Sequence, residues 1–384
     1  MSELPLPDAD ALALSARLEA RVRDDIAAAG GRIGFDAYMQ RALYEPGLGY
    51  YVNGLRKFGA GGDFVTAPER SPLFARALAR QVAQVLDVLP GGEVLEFGPG
   101  SGALAVELLA ELERLDRLPS RYLMLELSAD LQQRQRDAIA QCVPHLAARV
   151  EWLPRLPERF SGIAIANEVL DAMPVRRFRV TAAGLAELCV TVQEGALRLQ
   201  AVLTVDASVA ARLAGLDLPT GYETEINFAA EAWVRSVSGW LQAGLLLLID
   251  YGYPRAEYHH PQRASGTLRC HYRQQAHDDA LRWPGLQDIT AHVDFTAVAQ
   301  AGCEAGLTLA GFASQAQFLI NCGLPQLLEA VDPAGADYLD LALQARQLLL
   351  PQAMGEAFKV LGFTRALAGF EPIGFRQGDR RQRL

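Results

Sequence analysis

The chain has 384 residues, 50% of them hydrophobic and 21% charged, with 36 Lys and Arg against 45 Asp and Glu for a formal net charge of -9. That is enough apolar material for one elaborated α/β domain or for two domains. The acidic balance disfavours broad electrostatic binding to nucleic acid or to an anionic membrane, and five dispersed cysteines without a CxxC pair exclude a disulfide framework or a structural zinc site.

In chain order, residues 11–28 and 35–43 read as helices. The first thirty residues carry acids from Glu3 onward and no basic run ahead of an apolar core, so neither a signal nor a transit peptide is expected. Segment 44–68, with Gly47, Gly49, Tyr50, Tyr51, Phe58, Gly59, Gly61, Gly62, Asp63 and Phe64, is too rich in glycine for a regular element. It fits either a flexible lid or a packed surface loop anchored by its aromatics. A helix over 71–88 leads into the first strand.

That strand, 94–97, carries Glu96 and breaks at Gly98, Gly100 and Gly102 before an amphipathic helix from Ala103. At the carboxyl edge of a parallel sheet such a loop binds ligands, because glycine lets the backbone approach them and the helix N-terminus favours a carboxylate or phosphate. Strands follow at 122–126, ending on Glu126, at 149–153, and at 162–166, ending on Asn167 and Glu168, with a helix over 130–141 between the first two. The alternation predicts a doubly wound, Rossmann-like α/β sheet.

A hairpin over 178–203 and a mostly helical stretch over 207–240 interrupt the sheet before a fifth strand at 245–250. A helix over 295–306 and strands at 307–313 and 358–366 close it, around a leucine-rich helical insertion at 321–354. The domain organisation expected is an N-terminal helical and lid region, 1–80, and a cofactor-binding domain, 81–384, with insertions at about 176–242 and 321–354. Basic runs at Arg176, Arg177 and Arg179 and at Arg376, Arg380, Arg381 and Arg383 are expected on solvated surface. The apolar run 244–249 is too short to span a bilayer, so no membrane insertion is expected.

Gly98, Gly100 and Ala103 also satisfy the dinucleotide pattern G-x-G-x-x-G/A. A dinucleotide loop, however, opens its fold near the N-terminus and meets a ribose acid about 20 residues later. Here a long helical preface comes first, and Glu126 lies 28 positions after Gly98 (126 − 98). Glu96 would repel a pyrophosphate and attract an ammonium group, and Glu126 is placed to accept from both hydroxyls of a ribose. The combination favours S-adenosylmethionine, held by Gly98, Pro99, Gly100, Ser101 and Gly102, over a dinucleotide or an unliganded turn.

Glu168 and Asp171 lie three apart and share a face if the chain makes one helical turn. Methyl transfer from a sulfonium is an in-line displacement in which positioning dominates. A guanidinium acceptor has a free pKa above about 12; paired carboxylates could hold it bidentately, aim one nitrogen and localise charge on the others. The alternative is that Asp171 caps a following helix and Glu168 touches only the cofactor. Asn167 could hold the adenine edge or orient the acceptor. His292 and Asp294 could share a face and supply a base, although a structural histidine is the simpler reading.

The runs 38–44, 49–51, 62–69, 96–102, 167–174, 250–252 and 288–295 together resemble the MidA-like class I methyltransferases, the family that includes the mitochondrial complex I assembly methyltransferase. The resemblance spans about residues 33–370. It implies a Rossmann-like methyltransferase fold with added helical parts, S-adenosylmethionine as cofactor and no metal. In the mitochondrial member the acceptor is an arginine of a complex I core subunit. For this chain the resemblance implies a protein substrate, a respiratory complex I subunit first among candidates; the Ala- and Arg-rich composition and the lack of a mitochondrial targeting segment lead to the expectation of a bacterial cytoplasmic location. It also draws Thr66, Pro68 and Glu69 toward the cofactor, where the plain alternative is a helix N-cap and proline turn. A methyltransferase acting on a small molecule, or an assembly chaperone that keeps the cofactor, would use the same loop. The oligomeric state is left open.

Overall fold

Val94, Leu95, Ile163, Ala164, Leu245 and Leu247 have no more than 0% of their surface exposed, so the strands that carry them are covered on both faces, the condition in which parallel strands occur. The computed structural model describes residues 4–55, 66–204 and 206–384. The chain divides into two compact units. One draws on 65–170, 232–252 and 295–384, the other on 1–64, 171–231 and 253–294.

In the first of these units the strands are β1 (Glu93–Phe97), β2 (Tyr122–Leu125), β3 (Val150–Leu153), β4 (Phe160–Asn167), β5 (Leu241–Tyr253), β6 (Thr308–Ser314) and β7 (Phe358–Arg365). They run β6-β7-β5-β4-β1-β2-β3 across the sheet. Strands β1 to β5 are parallel to one another, whereas β7 lies antiparallel between β5 and β6. Strand order reverses between β1 and β4, and the carboxyl ends of that pair form the crevice in which open α/β sheets bind ligands. The two strands pack so closely that a Cβ on Gly162 would collide with the Glu93 carbonyl.

Helices Pro72–Val88 and Ala103–Arg114 bury Leu78, Val82, Leu104 and Leu108 in one core with Val94 and Ile163. Ser71 caps the first of them, its hydroxyl accepting from Leu73 N at 3.2 Å. The leucine-rich stretch forms helices Gln315–Asn321, Leu324–Glu329 and Tyr338–Leu349, and Leu319, Leu324 and Leu348 join the same core.

The other unit pairs helices Ala9–Ala28 and Phe35–Tyr44 with an antiparallel sheet. Its strands run Arg32–Ile33, Gly184–Gln193, Arg176–Thr181 and Glu223–Ile226, and Ala196–Leu203 also pairs with Gly184–Gln193. A smaller sheet joins Gln275–His277, Arg269–Tyr272 and Asp288–Thr290. The stretch expected to be mostly helical therefore contains a strand, Glu223–Ile226. It is held by its partner strand: Arg179 Nε donates to Glu223 at 2.9 Å and Arg177 Nη2 at 3.1 Å.

Those contacts also correct the expectation of a solvated basic run at Arg176, Arg177 and Arg179. Arg177 is buried, and Arg176 forks onto Glu187 at 2.8 and 2.6 Å. Each arginine pairs with an acid on a neighbouring strand, which is how sheets stabilise charge.

Candidate functional site

After Phe97 the chain enters the loop through three left-handed glycines, Gly98 at φ +57°, Gly100 at +55° and Gly102 at +84°. A Cβ at Gly98 would meet the Val169 side chain at 3.3 Å, so the turn after β4 lies against the loop. Gly102 opens helix Ala103–Arg114 without a side-chain cap, which leaves the helix N-terminus with N–H groups and partial positive charge for an anion.

Glu126, just past the end of β2, faces this loop with both oxygens fixed. Its Oε1 accepts from Ser128 N at 2.8 Å and its Oε2 from Gln135 Nε2 at 3.3 Å. Gln135, on helix Ala129–Cys142 and fully buried, also donates to the Gly100 carbonyl at 2.8 Å and accepts from Trp152 Nε1 at 2.8 Å. Sequence reasoning passed over Gln135, because one glutamine in a polar helix carries no periodic signal.

Glu96 is buried, and Tyr122 Oη donates to its Oε2 at 2.6 Å. Burial pushes the Glu96 carboxyl up to about 7; the Tyr122 bond opposes that shift and the nearby Glu126 adds to it. Tyr122 is itself raised by burial and by Glu96. The acid beside the glycines is thus a tethered group near its titration point, not a solvated carboxylate.

At the end of β4, Asn167 Nδ2 donates to Glu168 Oε1 at 3.2 Å. Asn167 Oδ1 is buried with no hydrogen-bond partner among the described residues, an acceptor suited to an amino group of a ligand. Glu168 sits at φ +54°, a left-handed conformation that costs a side-chain-bearing residue roughly 1–2 kcal/mol. The turn is held from β5. Glu168 N donates to Ile249 O at 2.9 Å, and the buried Asp250 carboxylate accepts from Val169 N at 3.2 Å and from Leu170 N at 2.9 Å. Asp250 was visible in the sequence as an acid ending the fifth strand and as part of the run 250–252, with no role assigned to it.

Residues 168–175 form bends and turns instead of the helical turn that would align Glu168 with Asp171. Glu168 belongs to the unit that holds the glycine loop and Asp171 to the other. Asp171 is buried, and its carbonyl accepts from Ala291 N at 2.9 Å. It caps no helix, since the next regular element is strand Arg176–Thr181. In the same unit Tyr51 Oη donates to Asp288 Oδ1 at 2.8 Å, and burial, then Asp288, Tyr44 and Asp171, push the Tyr51 phenol up.

Thr66 is the N-cap of helix Ala67–Arg70, and its N–H donates to Glu69 Oε2 at 3.4 Å with Pro68 in the first turn. Phe58, Gly59, Gly61, Gly62, Asp63 and Phe64 of the expected lid lie outside the described residues. Asp294 pairs with Arg255 at 3.4 Å, and the His292 ring packs 5.3 Å from that of Tyr253.

A sequence profile described as "Putative S-adenosyl-L-methionine-dependent methyltransferase" matches residues 77–313. A crystal structure from Burkholderia thailandensis with S-adenosyl-homocysteine bound is similar at a TM-score of 0.97 and 48% identity, with 100% of each chain covered. A second structure from that organism gives 0.94, also at 48% identity over 100% of each chain. The mitochondrial protein arginine methyltransferase NDUFAF7 of Danio rerio is 28% identical over 369 residues, covering 86% of this chain and 83% of that protein. Its Mus musculus counterpart is 29% identical over 362 residues, covering 85% and 80%. The fold is the Rossmann-like class I methyltransferase sheet expected from the sequence. The chain belongs to this family of S-adenosyl-L-methionine-dependent methyltransferases, and S-adenosyl-L-methionine is its cofactor.

Proposed function

We propose that the enzyme methylates arginine side chains of a protein, and that Glu168 meets the acceptor guanidinium. The observation that carries this reading is the turn after β4. It is fixed by Asp250, bears an acid in a strained conformation and packs on Gly98 of the cofactor loop. The similarity to protein arginine methyltransferases over most of both chains supports the choice of acceptor.

In this reading Gly98, Pro99, Gly100, Ser101 and Gly102 cradle the amino-acid end of the cofactor, whose carboxylate meets the helix N-terminus. Glu96 faces the ammonium group and Glu126 takes the ribose hydroxyls. Asn167 Oδ1 serves an amino N–H, and Thr66 and Glu69 line the approach. Bound S-adenosylmethionine supplies a methyl group on a sulfonium, open to in-line displacement. Glu168 orients the guanidinium through charge-assisted bonds, keeps its positive charge off the attacking nitrogen and stands ready for the released proton.

A subunit of a respiratory complex is the acceptor class we propose, following the family resemblance. A bacterial cytoplasmic location is proposed from the Ala- and Arg-rich composition. Among the described residues no helix is long and apolar enough to cross a membrane. Incubation with labelled S-adenosylmethionine and host lysate, followed by hydrolysis of the labelled protein, should yield methylarginine. Label on a metabolite, or tight cofactor binding with no transfer, would overturn the arginine assignment.

A further inference from the structure

We infer that Gln135 is the positioning residue of the cofactor site: its one amide locks the glycine loop to the ribose acid. The inference rests on the cofactor reading of the loop and deepens it.

Three bonds meet on this side chain, to the Gly100 carbonyl at 2.8 Å, to Glu126 Oε2 at 3.3 Å and from Trp152 Nε1 at 2.8 Å. The orientation of the amide is forced. An indole N–H can only donate, so it selects Oε1; a carbonyl and an ionised carboxylate can only accept, so they select Nε2. Both N–H groups and the carbonyl are then used, in a side chain with 0% exposure. A flipped amide would face donor to donor and acceptor to acceptor at all three contacts.

The three partners stand on different segments: the loop after β1, the chain just past β2, and β3. Gln135 also touches the loop without polar atoms, since a Cβ on Gly102 would meet its Cγ at 3.3 Å and its Cα at 3.4 Å. With Ser128 N on the other oxygen of Glu126, both carboxylate oxygens are held by hydrogen bonds. The cost of ordering ribose acid and loop is met on folding instead of on binding, which is how preorganisation raises affinity. Gln135 itself need not touch the cofactor.

The test is calorimetric binding of S-adenosylhomocysteine to the full chain and to the variants Gln135→Leu, Gln135→Glu and Trp152→Phe. Loss of a hydrogen bond to a charged group predicts about 10- to 100-fold weaker binding for Gln135→Leu. Trp152→Phe, which removes only the bond that orients the amide, should weaken binding several-fold and guards against a variant that fails to fold. The decisive readout is pH. In Gln135→Glu two carboxyls face each other, so a shared proton restores a donor and the deficit should shrink from about pH 8 to about pH 6. The Gln135→Leu deficit should stay constant. Both are taken relative to wild type at each pH, because Glu96 titrates beside Glu126 and Arg136 stacks on Trp152. Wild-type affinity in all three variants overturns the inference, as does a Gln135→Glu deficit that ignores pH. A wild-type protein that fails to bind S-adenosylhomocysteine would overturn the cofactor reading instead.

Discussion

The carboxylate of Asp250 accepts from the backbone N–H of Leu170 at 2.9 Å, a bond from the fifth parallel strand to the turn that follows the fourth. Through it, and through the bond to Val169 N, a buried charge on one strand fixes the conformation of the acid-bearing segment on the next. Asp250→Ala should strand both N–H groups and cost roughly 2–3 kcal/mol of stability. Asp250→Asn keeps an acceptor and should lose less. Urea unfolding of the two variants would separate them, and equal stabilities would refute this role.

Glu168 at φ +54° gives a contrast between fold and chemistry. Glu168→Gly should be about 1 kcal/mol more stable than Glu168→Ala, because glycine accepts the left-handed region without strain. Neither should transfer methyl groups to the acceptor, while S-adenosylhomocysteine binding persists in both. Denaturant midpoints and a transfer assay check the two halves, and normal transfer in either variant would sink the guanidinium reading.

Gly100 combines φ +55° with a carbonyl already committed to Gln135. Gly100→Val should place a branched side chain at a left-handed position where the cofactor must approach, and reduce cofactor affinity at least about 100-fold. Titration calorimetry would show it. Undiminished affinity would mean that this glycine does not line the cofactor.

In the proposed site, Glu96 should make cofactor binding depend on pH. Its carboxyl titrates at about 7 in the folded chain against an ordinary value of 4.5. The folded state therefore holds a proton that the unfolded chain gives up between those values. Stability of the cofactor-free protein should fall as pH rises from about 4.5 to about 7, by up to about 3 kcal/mol. Cofactor affinity should move the other way, rising through about pH 7 as the carboxylate forms opposite the ammonium group. Glu96→Gln should flatten both profiles; a wild-type affinity independent of pH would remove Glu96 from the ammonium contact.

Much of this was legible in the chain. The three-glycine break after an apolar strand, and the acids at strand ends, locate the crevice because periodicity and turn chemistry are local properties. Strand Glu223–Ile226 was not, since its stability comes from cross-strand pairs with Arg177 and Arg179 some 45 residues earlier. Asp250 and Gln135 were hidden for a related reason: their partners lie on other segments of the chain and are in part backbone groups, which have no signature in sequence. At Glu168 the expected helical turn is replaced by a turn with a left-handed residue, tied to the neighbouring strand through Ile249 O and the Asp250 carboxylate.

The antiparallel pairing of Arg32 with Thr191 bears on how the chain is made. A ribosome must add roughly 160 residues after Arg32 before its partner exists, which at about 5–20 residues per second is about 8–30 s of synthesis. Through that interval the apolar faces of helices Ala9–Ala28 and Phe35–Tyr44 lack the strand that Val190 brings to their core. The N-terminal helices therefore reach their packed state only after residues synthesised much later join the same core.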